Sequence, residues 1–275
     1  MTIPKKYLAL DIGGFSTKAG LVTGEGEVLG HYAVESHRGG TREQVLRDIA
    51  GALAPFRGED LAGVGVGFPA YGDFKNGVLL TLNTLFPSLH RFPLGYLLEN
   101  ELGVPTRITT DANLFALGVM RFGEGQTYKD FVAVSLGAGT GVGVVQDGRL
   151  VEGMLGPHPV IVEFYNEWNG TESHDGLSFP ALYGADGETL YRQVEDGDEI
   201  ALRAFERIGR SLGPTLNWLH TGLMMDTFIL GGGVSNSYDY FYPVLESELG
   251  PNDLKVFKTG LENASLLGAV PLLEE

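Results

Sequence analysis

One supersecondary pattern occurs twice in this 275-residue chain, and the repetition constrains the fold more than any other feature. Residues 7–12 form an apolar run interrupted by one acid, Asp11, and the run ends in Gly13-Gly14. Residues 18–22, a turn at Gly24-Glu25-Gly26 and residues 28–34 follow. The pattern returns as residues 131–136, the loop Gly137-Ala138-Gly139-Thr140-Gly141, residues 142–146, an Asp147-Gly148 turn and residues 149–151. Apolar runs of this length bounded by glycine read as buried strands, and Asp-Gly between two of them reads as a tight hairpin. Two copies of one strand–loop–strand–turn–strand unit point to two related domains.

The segments between the copies are helical in pattern. Over residues 41–56, Val45, Leu46, Ile49 and Leu53 share one face, and Thr41 with Gln44 makes a capping box. Residues 114–122 follow Thr110-Asp111-Ala112-Asn113 as a helical run. Residues 198–220 place Phe205, Ile208, Leu212, Leu216 and Leu219 at helical spacing, with Pro214 expected to kink or divide the helix. Residues 227–230 read as a short buried strand ahead of Gly231-Gly232-Gly233. Residues 153–187 have little periodicity, and irregular stretches of that length commonly carry function.

Composition excludes several classes of function. A net charge of −16 repels nucleic acid and anionic membranes, so neither is an expected partner. An anionic substrate would need backbone N–H groups and a metal ion to receive it. The absence of cysteine removes disulfides and thiolate-bound zinc. Residues 1–6 lead directly into a strand without the apolar core of a signal peptide, and no uncharged apolar run is long enough to span a bilayer. The cytoplasm is the expected compartment.

Each candidate site has a functional and a structural reading. Asp11 beside Gly13-Gly14 can hold magnesium, directly or through water, next to backbone that approaches a phosphate closely. It can equally be an acidic residue at a hairpin edge. Residues 137–141 offer a second glycine cradle with a hydroxyl at Thr140, or simply a tight turn. A strand follows this loop, not a helix, so it is neither a P-loop nor a dinucleotide fingerprint. Three successive glycines at 231–233 before Val234 allow a flat nucleotide group to lie against the backbone. Asp111 can cap the helix that follows it, or accept a proton from a substrate hydroxyl. His158 and His174 are too few for a zinc site, and Phe164 and Trp168 read as packing residues.

Taken together, these motifs resemble the ROK family of sugar kinases and repressors and its glucokinase relatives, nearly end to end. Asp11-Ile12-Gly13-Gly14 matches the first phosphate motif. Gly67-Phe68-Pro69-Ala70 resembles the family's Gly-x-Pro-Gly loop, and Asn83 matches a sugar-contacting asparagine. Residues 111–123 look like the Asn-Asp-Ala-Asn helix. Residues 136–143 resemble the second phosphate motif, Gly231–Ser235 the adenosine motif, and residues 263–269 the closing helix. The helix-turn-helix region of the repressor branch is not among these motifs. There are departures. Phe15 stands where threonine is usual, and Thr110 replaces the asparagine before the catalytic aspartate. Met154 or Leu155 falls at the glutamate of a Gly-Glu-x-Gly-His motif of which His158 remains, and His174 falls at another sugar-binding glutamate. The cysteine-rich zinc motif is missing.

The resemblance implies an α/β fold of two ribonuclease-H-like domains of the actin/hexokinase type with a cleft between them. Their expected bounds are residues 1–110 joined by the C-terminal helix 262–275, and residues 111–261. It implies an ATP-dependent kinase acting on a sugar or polyol hydroxyl, with Mg²⁺ and no zinc. In that reading Asp111 is the base and Asp11 organises magnesium. Gly13, Gly14, Gly137, Ala138, Gly139 and Thr140 serve the phosphates, and Gly231, Gly232, Gly233 and Val234 border adenosine. Asn83, Thr110, Asp111 and His158 face the acceptor. A homodimer is the family expectation. Polyphosphate as donor stays open, as does a non-catalytic binding or regulatory protein of the same fold, which Phe15 and the missing glutamates motivate.

Overall fold

A computed structural model describes residues 4–69, 72–80, 85–137, 140–151 and 187–274, with the backbone of 165–166 and 171–172. The first half comprises β1 (Lys6–Ile12), β2 (Ser16–Thr23), β3 (Val28–Glu35), α1 (Arg42–Leu53), β4 (Gly63–Phe68) and the small pair β5 (Gly72–Asp73) and β6 (Val78–Leu79). It continues with α2 (Leu94–Leu102) and β7 (Thr106–Thr110). After α3 (Asp111–Phe122) come β8 (Phe131–Leu136), β9 (Thr140–Gln146), β10 (Arg149–Leu150) and the short pair β11 (Tyr165–Asn166) and β12 (Thr171–Glu172). Then follow α4 (Gly187–Glu195), α5 (Glu199–Leu223), β13 (Thr227–Gly231), α6 (Tyr238–Glu248), β14 (Lys255–Lys258), α7 (Ala264–Leu267) and α8 (Ala269–Glu274).

The two five-stranded sheets have one topology. Their orders are β3-β2-β1-β4-β7 and β10-β9-β8-β13-β14. In each, three strands form an antiparallel meander and two more add in parallel. The repeated sequence unit is therefore a repeated fold unit, in an α/β architecture.

Strand periodicity sorts the faces. Leu8, Leu10 and Ile12 of β1 pack with Val45, Ile49, Leu94 and Leu98 of α1 and α2. Tyr7 and Ala9 turn the other way, onto Leu266, Leu267, Ala269 and Val270 of α7 and α8. Asp11 shares that second face. In β8, Val132, Val134 and Leu136 pack with the long helices α5 and α6, whereas Phe131 and Ala133 meet Phe115, Ala116 and Val119 of α3. Helix α3 is buried almost all round over Ala112–Val119, as expected for an element enclosed between two layers. A Cβ at Gly118 would collide with the Ala264 carbonyl, and one at Gly268 with that of Leu114, so both glycines are needed for the C-terminal helices to seat against α3.

Local expectations mostly hold. Thr41 and Gln44 form the capping box, and α1 gives way to a 3₁₀ turn at Ala54–Phe56, where Pro55 cannot continue the bonding. Thr140 and Gly141 belong to β9, so the strand begins inside the predicted glycine loop. Pro214 does not divide its helix: α5 is continuous over 25 residues. The proline lies on the solvent face, where water can satisfy the carbonyl it leaves unbonded, while Leu212, Leu216 and Leu219 hold the other face in the core. The closing helix is two short helices meeting at Gly268. Among the described residues no helix is long and apolar enough to cross a membrane.

Candidate active site

Parallel pairing brings the first two candidates to one edge. Asp11 of β1 is in register with Gly67 of β4, and Phe68 of β4 with Thr110 of β7. The C-terminal end of β1 and the β7–α3 junction therefore flank the end of β4, the edge at which α/β sheets generally bind ligands.

At that junction the helix is capped by Thr110, not Asp111. Thr110 Oγ1 accepts from the Asn113 N–H at 3.1 Å, and its residue is 2% exposed. Asp111 is the first helical residue, and its Oδ1 accepts from the Ala112 N–H at 2.9 Å. The capping alternative for Asp111 thus passes to its neighbour. The Thr110 hydroxyl is engaged in this cap, at the start of the helix that begins with Asp111. The Asn113 side chain is buried and donates to Thr109 Oγ1 at 3.1 Å.

The electrostatics are unusual. Asp111 is partly exposed yet densely surrounded by protein. Its pKa is pushed up to about 7, first by desolvation and then by the charge of Asp11, against the pull of the Ala112 N–H. Burial also raises the pKa of Asp11, which is partly relieved by Lys18, its cross-strand partner, and by a hydrogen bond from the Ser265 side chain. Ser265 lies in the predicted closing helix, but only the structure assigns it a part in the site, where it reaches Asp11 from α7.

The second sheet closes on this pair. A Cβ at Gly141 would stand 2.8 Å from Ala112 Cβ and 3.9 Å from Asp111 Oδ1, so the β8–β9 hairpin lies directly against the start of α3. Thr140 Oγ1 is buried without a partner among the described residues. Gly13 closes the first hairpin by donating its N–H to Ser16 O at 2.9 Å, with Phe15 exposed at the tip.

The glycines differ in what demands them. Gly232 has φ of 83°, and a Cβ there would strike the main chain of Leu136. Gly137 and Gly233 have neither a left-handed backbone nor any described atom within 4 Å of an added Cβ. Nothing described within the protein requires glycine at either place, whereas close approach of a ligand would. Val234 is half-buried against the second core. Asn83, Ala138, Gly139 and His158 lie outside the described residues, as do Ala70, Met154, Leu155 and His174. No group of three or more His, Cys, Asp or Glu that could hold a metal is found among the described residues.

A model of the ROK family matches residues 7–163. The chain belongs to that family. Its relatives include glucokinases and other sugar kinases. The glucokinase of Thermotoga maritima is 26% identical over 315 aligned residues, covering 99% of each chain. A beta-glucoside kinase of Listeria monocytogenes is 34% identical over 148 residues, 54% of this chain and 49% of that protein. A ROK-family glucokinase of Streptomyces griseus, solved with glucose and AMPPNP, superposes with a TM-score of 0.83 at 26% identity, over 97% of this ROK chain and 98% of its own.

Proposed function

We propose that this chain transfers the γ-phosphoryl group of ATP to a hydroxyl of a sugar or polyol, with Asp111 as general base. The observation that carries the reading is the Asp111 carboxylate itself. It is spared from capping, has its pKa raised to about 7, and lies between the ends of two glycine-bearing sheets. A base with a pKa near working pH takes a hydroxyl proton without being permanently protonated or feebly basic.

The remaining roles follow from placement. The main chain at Gly13 and Gly14, at Gly137–Gly139 and the Thr140 hydroxyl receive the phosphates. Gly231–Val234 borders adenosine. Among the described residues, the open spaces over Gly137 and Gly233 and the unpartnered Thr140 Oγ1 fit a phosphorylated ligand. Two neighbouring carboxylates, with Lys18 beside Asp11 alone, fit a divalent cation, held by Asp11 directly or through water. A magnesium ion bound there would neutralise phosphate charge, the main requirement of phosphoryl transfer. Asn83 and His158 are assigned to the acceptor and Thr110 to positioning Asp111. The acceptor pocket departs from a glucose pocket where Met154 or Leu155 and His174 replace glutamates. We place the domain division at residue 110, with residues 262–275 returning to the first domain, and the protein in the cytoplasm.

The exposed Phe15, where a hydroxyl would be expected, favours a second reading: a nucleotide- and sugar-binding protein without turnover. An ADP-release assay with Mg·ATP over hexoses, amino sugars, N-acyl sugars and polyols, run beside calorimetric titration, separates the two. Turnover with any acceptor supports the kinase, and binding without turnover supports the second reading. Absence of binding at millimolar nucleotide removes both.

A further inference from the structure

One buried acid has no part in the chemistry above. Asp48, on α1, is 7% exposed. Its Oδ2 accepts the His37 main-chain N–H at 2.8 Å, and its Oδ1 lies 2.8 Å from His37 Nδ1. A buried carboxylate is costly unless satisfied in this way, and here it anchors a short segment, residues 36–40. Two further sides of that segment are fixed. Ser36 donates its N–H to Phe15 O at 3.0 Å, and its Oγ pairs with Thr17 Oγ1 at 2.9 Å. Gly39 donates its N–H to Leu85 O at 2.7 Å. The segment is thus tied to α1, to the tip of the first glycine hairpin and to Leu85, two residues along the chain from Asn83.

Topology sets where it emerges. β3 is antiparallel to β2, and β2 to β1, so β3 ends at the same edge as Asp11 and the hairpin tip. Arg38 sits at the middle of the anchored segment. Its guanidinium carbon is 6.0 Å from the centre of the Phe15 ring, and the side chain is exposed. No carboxylate among the described residues pairs with it, in a chain of net charge −16. An arginine stacked on an aromatic ring keeps its planar donor edge free, and that edge matches phosphate oxygens bidentately.

We propose that Arg38 contacts the terminal phosphate of the nucleotide at the first hairpin, where Phe15 provides no hydroxyl, and that Asp48 and His37 are its positioning residues. The inference rests on the nucleotide reading of the hairpins given above. The test is calorimetric titration of ATP, ADP and AMP, each with Mg²⁺, into the wild type, Arg38→Met and Arg38→Lys. Methionine keeps an unbranched apolar stem beside Phe15 and removes the charge. Arg38→Met is expected to lose about tenfold or more in ATP affinity, the loss of one charge-assisted contact, with AMP affinity within about twofold of wild type. Arg38→Lys should fall between them. His37→Ala should show the same ATP-selective loss and His37→Asn, which restores a donor near Nδ1, should recover it. Unchanged ATP affinity in Arg38→Met, or equal losses for all three nucleotides, overturns the role of Arg38 and leaves the nucleotide site standing. A wild type that binds none of the three sinks the nucleotide reading and this inference together.

Discussion

The ends of β1 and β8 carry one plan with different chemistry. Residues 7–13 and 131–137 correspond position by position: Tyr7 to Phe131, Ala9 to Ala133, Asp11 to Ser135, Gly13 to Gly137. Their parallel neighbours correspond as well, because Asp11 is in register with Gly67 and Ser135 with Gly231. Both of those glycines are emptied for the same helix. A Cβ at Gly67 would stand 2.8 Å from Leu114, and one at Gly231 would strike the Phe115 ring. The repeated scaffold therefore holds α3 between two equivalent clefts in two sheets, but the charge is in one copy only. The first sheet contributes the carboxylate of Asp11, and the second contributes Ser135 and the hydroxyl of Thr140, unpartnered among the described residues. The two ends share a frame, and single inner-face positions make one end acidic and the other neutral.

The comparison breaks hardest at Asp111, which belongs to neither hairpin. Asp111→Asn should lower kcat by about a hundredfold or more with little change in KM, since the carboxylate acts mainly in the transition state. Steady-state kinetics with the best acceptor checks this. A variant that keeps its turnover and loses only thermal stability would return Asp111 to a structural role.

The two kinds of glycine come next. Gly231→Ala places a methyl group in the Phe115 ring and should destabilise the fold by about 1–3 kcal/mol, the usual cost of overpacking, seen as a lower Tm. Gly137→Ala meets nothing among the described residues, so its Tm should stay close to wild type while nucleotide affinity falls. If Gly137→Ala instead melts early and binds normally, the second hairpin is glycine-rich for folding alone.

The smallest expected effect is the change that Asp11→Asn makes in the pH dependence of stability. Asp111 has a folded-state pKa of about 7 against an ordinary value of 3.8, so between those values the native state holds a proton that the unfolded chain has released. Stability should fall as pH rises through that window and level off above it. Denaturant unfolding in EDTA from pH 4 to 8 measures the slope. Asp11→Asn removes the neighbouring charge and should move the end of the window to lower pH. An unchanged curve would show that the two carboxylates do not sense each other.

Much of the frame was legible along the chain. The strands at residues 7–12 and 131–136, the Thr41/Gln44 capping box and the helix starting after Asp198 depend on neighbours within a few residues, where periodicity and turn chemistry act. The glycine clusters marked both hairpins for the same reason. Harder cases turned on a single position or on the solvent. Thr110 and Asp111 are both good caps, and only the helix geometry assigns the task to Thr110. Pro214 should break a helix, and only its place on the solvent face lets α5 run through it.

What no local pattern carries is the electrostatic state of the site. Asp11 and Asp111 are far apart in sequence and become neighbours because β1, β4 and β7 pair in parallel at one edge. Ser265 reaches Asp11 because α7 folds back over β1, and Asp48 holds His37, the neighbour of Arg38, at that edge because α1 follows β3. The sequence determined which carboxylates, glycines and cations are present and which elements carry them. Tertiary structure decided their distances and burial, and charge interactions and desolvation depend on those two quantities and not on order along the chain.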